Sequence, residues 1–428
     1  MKTIPELIYA IESEATAARF AEIYGADAVG VKAQQERYIK AVGRFCEEFD
    51  ARDDMAIFSA PGRTEIGGNH TDHQHGRVLA AGVNLDVIAI THKRDDAMIT
   101  VISEGFTPDY VDSTDMSIHP EETGHSPALV RGVCSGFLRR GYKVGGFDAY
   151  TISSVLKGSG LSSSAAFEVL VGTILNHLYN DGKIDPVTIA QIAQYAEREY
   201  FGKPCGLMDQ TASAVGSFVA IDFEDPTKPV VEKVAFNFAD CGHDLVIVDT
   251  KGNHSDLTDD YAAIGAEMRS VAACFGKEVL REVDKDAFYA NMGQLKGKVS
   301  DRALLRAIHF FDDNDRAARE ADLLRAGDFD AFKQEILASG RSSAMHLQNA
   351  YSIQTPDEQG IPLTLALTAR MLEGKGAWRV HGGGFAGTIQ AFVPCELTPA
   401  YRDMVEAVLG AGSCHVLQIR PVGAVRIL

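Results

Sequence analysis

Between residues 157 and 169 the chain reads KGSGLSSSAAFEV, a concentration of backbone suited to gripping an anion. Gly158 and Gly160 admit conformations closed to other residues, so the chain can turn tightly and bring its amides close to a ligand. Ser162, Ser163 and Ser164 follow, and then Val169, Leu170, Thr173, Ile174 and Leu178 recur at helical spacing. The serines therefore fall at or just inside a helix N-terminus, where free N–H groups and the helix dipole favour phosphate. A serine-capped helix that binds nothing after a glycine turn has the same pattern. No G-x-x-x-x-G-K-[ST] occurs in the chain, which excludes a Walker-type loop.

A second stretch, PGRTEIGGNHTDHQHG at 61–76, sets Arg63, Asn69, His70, Asp72, His73 and His75 among four glycines. So many hydrogen-bonding groups on a glycine-rich turn suit a small ligand with several hydroxyls, a sugar above all. A metal site on His70, Asp72, His73 and His75 is the rival, but H-x-x-H-x-H is not a regular zinc spacing. A polar surface turn is the plainest reading. Asp209, in CGLMDQ, follows a glycine and sits between apolar residues, as a partly buried carboxylate would. Beside an arginine it stays ionised and can orient or accept a hydroxyl proton. A helix N-terminal Asp has the same local sequence. Glu197, about one helical turn before Tyr200, reads either as a surface residue or as a magnesium ligand. A third glycine-rich stretch, Gly382, Gly383, Gly384 and Gly387, follows an expected strand and has the composition of a tight turn.

The elements that must position these groups are legible in outline. Residues 1–50 read as helical, with Tyr38, Val42, Phe45, Cys46 and Phe49 on one face. Strands are expected at 55–60, 78–90, 98–102, 146–153, 217–223 and 244–249. Helices are expected at 127–140, after the serines, and at 188–200, 258–275, 300–326 and 361–373; 339–352 reads as a loop. Strand runs and helix runs are partly segregated, which predicts an α+β fold. At 428 residues two domains are expected, divided near the polar segment EDPTKP at 224–229.

With 41 basic against 59 acidic residues the net charge is -18, and no basic run forms a nucleic-acid footprint. Seven cysteines without a C-x-x-C pair suit free thiols in a reducing compartment. The N-terminus carries acids where a signal peptide would be apolar, and no run approaches a membrane span. A cytoplasmic protein is expected.

In this order and at these separations, the stretches resemble the motifs of the GHMP kinase superfamily, and within it the galactokinases. The family's G-R-V-N-L-I-G-E-H-T-D-Y is similar to GRTEIGGNHTDH here, and its G-L-S-S-S-A stands unbroken at 160–165. Its C-G-x-M-D-Q is CGLMDQ at 205–210, and its G-A-G-F-G-G resembles GGGFAG at 382–387. The likeness spans residues 34 to 428 and leaves 1–33 as a helical extension without a counterpart. It implies a pair of α+β domains, 34–225 and 226–428, with the active site in the cleft between them. It implies transfer of the γ-phosphoryl of ATP to the C1 hydroxyl of a galactose-like sugar. Asp209 would be the base and Arg63 its partner, with Ser164 and Glu197 as Mg2+ ligands. The amides of Gly158, Ser159, Gly160, Leu161, Ser162, Ser163 and Ser164 would cradle the phosphates. His70, Asp72, Gly206 and Tyr261, the last placed by NHSDLTDDY, fall where the family contacts sugar. Sugar and ATP are the partners expected, with no nucleic acid or membrane, in a monomer or small homo-oligomer.

The departures from the family are specific. Galactokinases carry Glu, a partner of the sugar's C6 hydroxyl, where this chain has Asn69. Asn still accepts a hydrogen bond but loses the charge, and a charge-assisted bond is roughly twice as strong as a neutral one. That change, with D-H-Q in place of D-Y-N, also resembles galacturonate kinases, so a sugar altered at C6 is an alternative substrate. Thr64, Glu65 and Ile66 replace Val-Asn-Leu beside Arg63. A sugar sensor without catalysis is a further alternative, but such relatives lack residues in the serine–alanine run, which is complete here.

Overall fold

A computed structural model describes residues 3–49, 53–155, 160–252 and 257–428. The chain opens with α1 (Ile4–Glu12), α2 (Glu14–Tyr24) and α3 (Ala28–Phe49), then β1 (Ala56–Gly67), β2 (Arg77–Lys93), β3 (Met98–Ser103) and β4 (Asp109–Asp112). Next come α4 (Ser126–Arg139), β5 (Phe147–Ser153), α5 (Ser163–Tyr179), α6 (Pro186–Glu199), α7 (Met208–Val215), β6 (Phe218–Asp222), β7 (Val230–Val234) and β8 (His243–Asp249). A helical run follows: α8 (Thr258–Ala273), α9 (Lys285–Ala290), α10 (Met292–Leu295), α11 (Asp301–Arg325), α12 (Phe329–Ser342) and α13 (Gly360–Leu372). Last are β9 (Ala377–His381), β10 (Thr388–Pro394), α14 (Thr398–Leu409), β11 (Cys414–Leu417) and β12 (Val425–Arg426).

Two sheets result, in the α+β arrangement the sequence predicts. The large one runs β12-β1-β2-β5-β3-β4, with β6 on the first half of β2 and β7 on β6. The small one runs β11-β8-β10-β9. All pairs are antiparallel except β3 with β5. The expected break at 224–229 is the turn between β6 and β7, which pair with each other in the large sheet. The C-terminal β12 also returns to that sheet, placing Arg426 opposite Phe58. Among the described residues no helix is long and apolar enough to cross a membrane.

Alternation along β1 shows how the large sheet is covered. Phe58 faces one core, shared with α4, α5, α6 and α7, while its neighbour Ile57 faces another. The second core joins Ile57, Ile88, Ile90, Tyr150 and Ile152 to Phe20, Tyr24, Tyr38 and Phe45. On α3, Tyr38, Ala41, Val42 and Phe45 repeat at helical spacing, so one stripe of the helix is buried. Burying side chains of this size contributes roughly 1.5–3 kcal/mol each. The N-terminal helices are thus the lid on the sheet's outer face.

Two expectations are corrected. The strand expected at 55–60 continues to Gly67, so Arg63 lies on β1 and not on a turn. Register shifts at Pro61/Arg63 and Glu65/Gly67 let Pro and Gly sit inside the strand. The loop expected at 339–352 begins as the last turn of α12 and continues as a π-helical turn, Ser343–Leu347. Ser339, Ser342 and Ser343 are buried against other elements, which overrides their weak helix propensity.

Candidate active site

The loop before α5 is fastened to β1. The Arg63 N–H donates to the Leu161 carbonyl at 3.1 Å, and its Nη1 donates to the Gly160 carbonyl. Gly62 permits this approach, since a Cβ there would stand 2.9 Å from the Leu161 oxygen. Ser162 precedes the helix with φ of 54° and makes no side-chain cap. Its hydroxyl turns away to donate to Asp209 Oδ2. The first amides of α5 are therefore left without a side-chain acceptor from Ser162, next to a buried Leu161. Gly158 and Ser159 lie outside the described residues.

Asp209 stands in the first turn of α7, where the helix dipole favours an anion. Arg63 Nε donates to its Oδ1 at 2.6 Å. Burial alone would raise this carboxyl, but the Arg63 charge and the bonds from Arg63 and Ser162 hold it below its ordinary value. Its side chain remains 29% exposed, so it is not sealed inside the protein. An ionised, partly open carboxylate can take a proton from a hydroxyl.

Glu197 of α6 is almost wholly buried. Its Oε1 accepts from Ser164 Oγ at 3.1 Å and Lys203 Nζ at 2.9 Å, and its Oε2 from Gln210 Nε2 at 2.7 Å. Gln210 also reaches Glu168 Oε2 at 3.3 Å. Burial, then the neighbouring charge of Glu197, pushes the Glu168 carboxyl well above its usual range. Ser164 and Glu197 together offer a hydroxyl and a carboxylate beside a helix N-terminus. That donor set fits Mg2+, which takes few protein oxygens and shares phosphate and water. Among the described residues no three His, Cys, Asp or Glu side chains are grouped to hold a metal by themselves.

On the other side of Arg63, the 68–76 turn meets the third glycine stretch. His70 Nε2 lies 2.9 Å from the Gly383 carbonyl. Desolvation, then His73, lowers its pKa to about 4, so the neutral ring donates from Nε2 and keeps Nδ1 as an acceptor. Gly206 abuts Asp72, whose Oδ2 would lie 2.4 Å from a Cβ on it. Tyr261 of α8 lays its ring on Gly383 and donates to the Gly384 carbonyl at 3.1 Å. A cavity of about 290 Å³ opens here, with Gly160, Tyr261, His381 and Gly383 in its wall. A larger hollow of about 620 Å³, beside Lys93, Arg94 and Tyr179, lies at the N-terminal end of β5, whereas Ser162 and α5 follow its C-terminal end. Gly160 and Tyr261 line the smaller one, and Arg63 adjoins it through its bond to the Gly160 carbonyl.

Asn69, expected to contact the sugar, is enclosed by the protein. It is fully buried, and both ends of its amide are taken. Nδ2 donates to Glu65 Oε1 at 2.9 Å and to the Gly382 carbonyl at 2.7 Å. Oδ1 accepts from Asn349 at 2.8 Å and from Ser343 at 3.3 Å.

Residues 128–217 match the GHMP kinases N terminal domain, and 43–93 match the galactokinase galactose-binding signature. A galactokinase from Streptomyces coelicolor is 30% identical over 393 residues, covering 90% of this chain and 98% of that protein. This chain belongs to the galactokinase family. The crystal structure of Lactococcus lactis galactokinase complexed with galactose aligns with a TM-score of 0.76 at 24% identity, covering 90% of this chain and 99% of that one. Methanococcus jannaschii mevalonate kinase aligns at 0.57 and 12% identity, over 86% and 99%. The two-domain GHMP kinase fold is therefore shared.

Against the galactokinase pattern, the departures at 65 and 69 are an exchange, with Glu and Asn trading places and bonded to each other. Glu65 also pairs with buried Arg379 of β9 at 2.6 Å. Thr64 meets His381 Nε2 at 3.0 Å and Gln390 Nε2 at 2.8 Å, while His381 Nδ1 meets Thr388 at 2.9 Å. Burial, then the charges of Arg63 and Arg379, holds His381 well below its usual pKa, and thus neutral. His381, Arg379, Glu168, Lys203 and Gln210 were not singled out by sequence reasoning. Gln210 closes the CGLMDQ stretch, Lys203 lies two residues before it, and Glu168 lies one helical turn after Ser164, so spacing alone could have flagged them.

Proposed function

We propose that this galactokinase-family protein transfers the γ-phosphoryl of ATP to the C1 hydroxyl of galactose, giving galactose 1-phosphate and ADP. The observation that carries the reading is Asp209, bonded at once to Arg63 and to Ser162 between the phosphate loop and the sugar-side turn. In this reading the reacting oxygen sits between Asp209 and the N-terminus of α5, in the cleft between lobes 34–225 and 226–428. Asp209 takes the C1 hydroxyl proton as that oxygen bonds to phosphorus and the bond to the ADP oxygen breaks. Arg63 keeps Asp209 ionised and offsets charge at the reacting hydroxyl. His70, Asp72, Gly206 and Tyr261 would hold the sugar, with Nδ1 of His70 and the Asp72 carboxylate accepting from its hydroxyls. Backbone amides from Gly160 to Ser164 would take phosphate oxygens. Mg2+ held by Ser164 and Glu197 would supply charge neutralisation on the transferring group.

Asn69 gives no support to a C6 acid as substrate, because its amide is committed within the protein and a carboxylate remains nearby at Glu65. The intact serine run and Asp209 speak for catalysis over sensing. A coupled ADP-release assay with galactose, galacturonate and N-acetylgalactosamine tests the reading. Galactose should be turned over fastest, at C1. Preference for galacturonate, or binding of both ATP and galactose without turnover, would remove it.

A further inference from the structure

Lys203 lies in the loop between α6 and α7, and its N–H bonds to the Glu197 carbonyl at 3.0 Å. Its side chain is 56% exposed, yet Nζ reaches Glu197 Oε1 at 2.9 Å. The same oxygen accepts from Ser164 Oγ at 3.1 Å, so ammonium and hydroxyl converge just inside the first turn of α5. The two cations that bear most on Asp209 are Arg63 and Lys203. They are not equivalent. Arg63 is nearly buried and is held both by Asp209 and by the Gly160 carbonyl. Lys203 has one carboxylate partner, a flexible stem and access to solvent, so its ammonium can be rehydrated or re-paired as it moves, which the buried guanidinium cannot.

We propose that Lys203 is a phosphate-binding residue, resting on Glu197 in the free enzyme and transferring to nucleotide phosphate oxygens on binding. This rests on the reading of the protein as an ATP-dependent kinase. Phosphoryl transfer is governed by positioning and by cations on the transferring group. A lysine at the mouth of a helix N-terminus, beside the base, supplies such a cation as a movable point charge. The plainer alternative is a brace that only steadies Glu197.

The test compares wild type, Lys203→Met and Lys203→Arg. Binding of ATP, ADP and adenosine is measured calorimetrically in EDTA, so that no metal contributes. Lys203→Met should weaken ATP and ADP roughly tenfold or more, the size of one charge-assisted hydrogen bond, and leave adenosine unchanged. Lys203→Arg should recover most of the loss. With Mg2+ present, kcat should fall in Lys203→Met while the KM for sugar stays constant, and melting temperatures should match. Unchanged ATP and ADP binding overturns the proposal, as does a variant that differs only in the Mg2+ concentration it requires. A wild type that phosphorylates sugar while Lys203→Met binds ATP normally sinks this assignment alone. A wild type that binds no ATP sinks the kinase reading and takes this assignment with it.

Discussion

Two aspartates in this molecule are built from nearly the same parts. Asp86 on β2 accepts from Arg37 at 2.6 Å, Tyr24 at 2.7 Å, Ser59 at 2.5 Å and Arg420 at 3.2 Å. Asp209 accepts from one arginine and one serine. In both, paired guanidinium and hydroxyl donors overcome the cost of burial and hold the carboxyl below its ordinary value. The difference lies in what is left over. Asp86 is fully enclosed and joins α2, α3, β1, β2 and the segment before β12. Asp209 keeps 29% of its side chain open. A saturated carboxylate can only hold structure together, whereas one with an open side can still receive a proton.

The largest effect should come from Asp209→Asn. It removes the base but keeps the shape, so kcat should drop about 10²–10⁴-fold, with a smaller loss of stability because nearly buried Arg63 loses its carboxylate partner. A steady-state assay beside a thermal melt checks both halves, and loss of folding would break the contrast. Arg420→Met should do the reverse, costing about 3–5 kcal/mol of stability because it leaves Asp86 short of a buried partner. The sugar-kinase rate per folded molecule should be unchanged, as denaturant titration paired with activity will show.

Ser162→Ala is the intermediate case. Loss of a hydrogen bond to a charged group is worth about 1.5–3 kcal/mol, so kcat should fall roughly ten- to a hundredfold while stability moves less than in Arg420→Met. Acid titration is the finest probe. Both carboxyls have depressed folded pKa values, so their stabilisation is complete above the unfolded value of about 3.9. It is lost as pH falls through the folded values. The stability gap between wild type and Asp86→Asn should therefore be constant at neutral pH and shrink only below about pH 3.9. A gap that changes near pH 6–7, measured by denaturant midpoints, would place some other group in control.

Much of the site was readable because it depends on local geometry. Glycine followed by serines before an apolar helical run specifies the turn and the helix N-terminus whatever packs around them. The same holds for Asp209 in the first turn of α7 and for the α3 stripe at Tyr38, Val42 and Phe45. The length of β1 was not readable, because residues 61–67 look like a turn and become strand through pairing with β2. The enclosure of Asn69 was not readable for a related reason. Its type matched a ligand position, but its four bonds come from residues near 65, 343, 349 and 382.

The sequence by itself determined where several helices begin, among them α4, α5, α6, α8, α11 and α13, which stretches could carry phosphate and sugar chemistry, and the family they belong to. Only the tertiary structure decided how each charge is used. Arg63 meets Asp209 across 146 residues, and Arg420 meets Asp86 across 334. Helix starts and turns follow from interactions a few residues apart, whereas charge pairing and exposure depend on packing between distant segments, which no local pattern encodes.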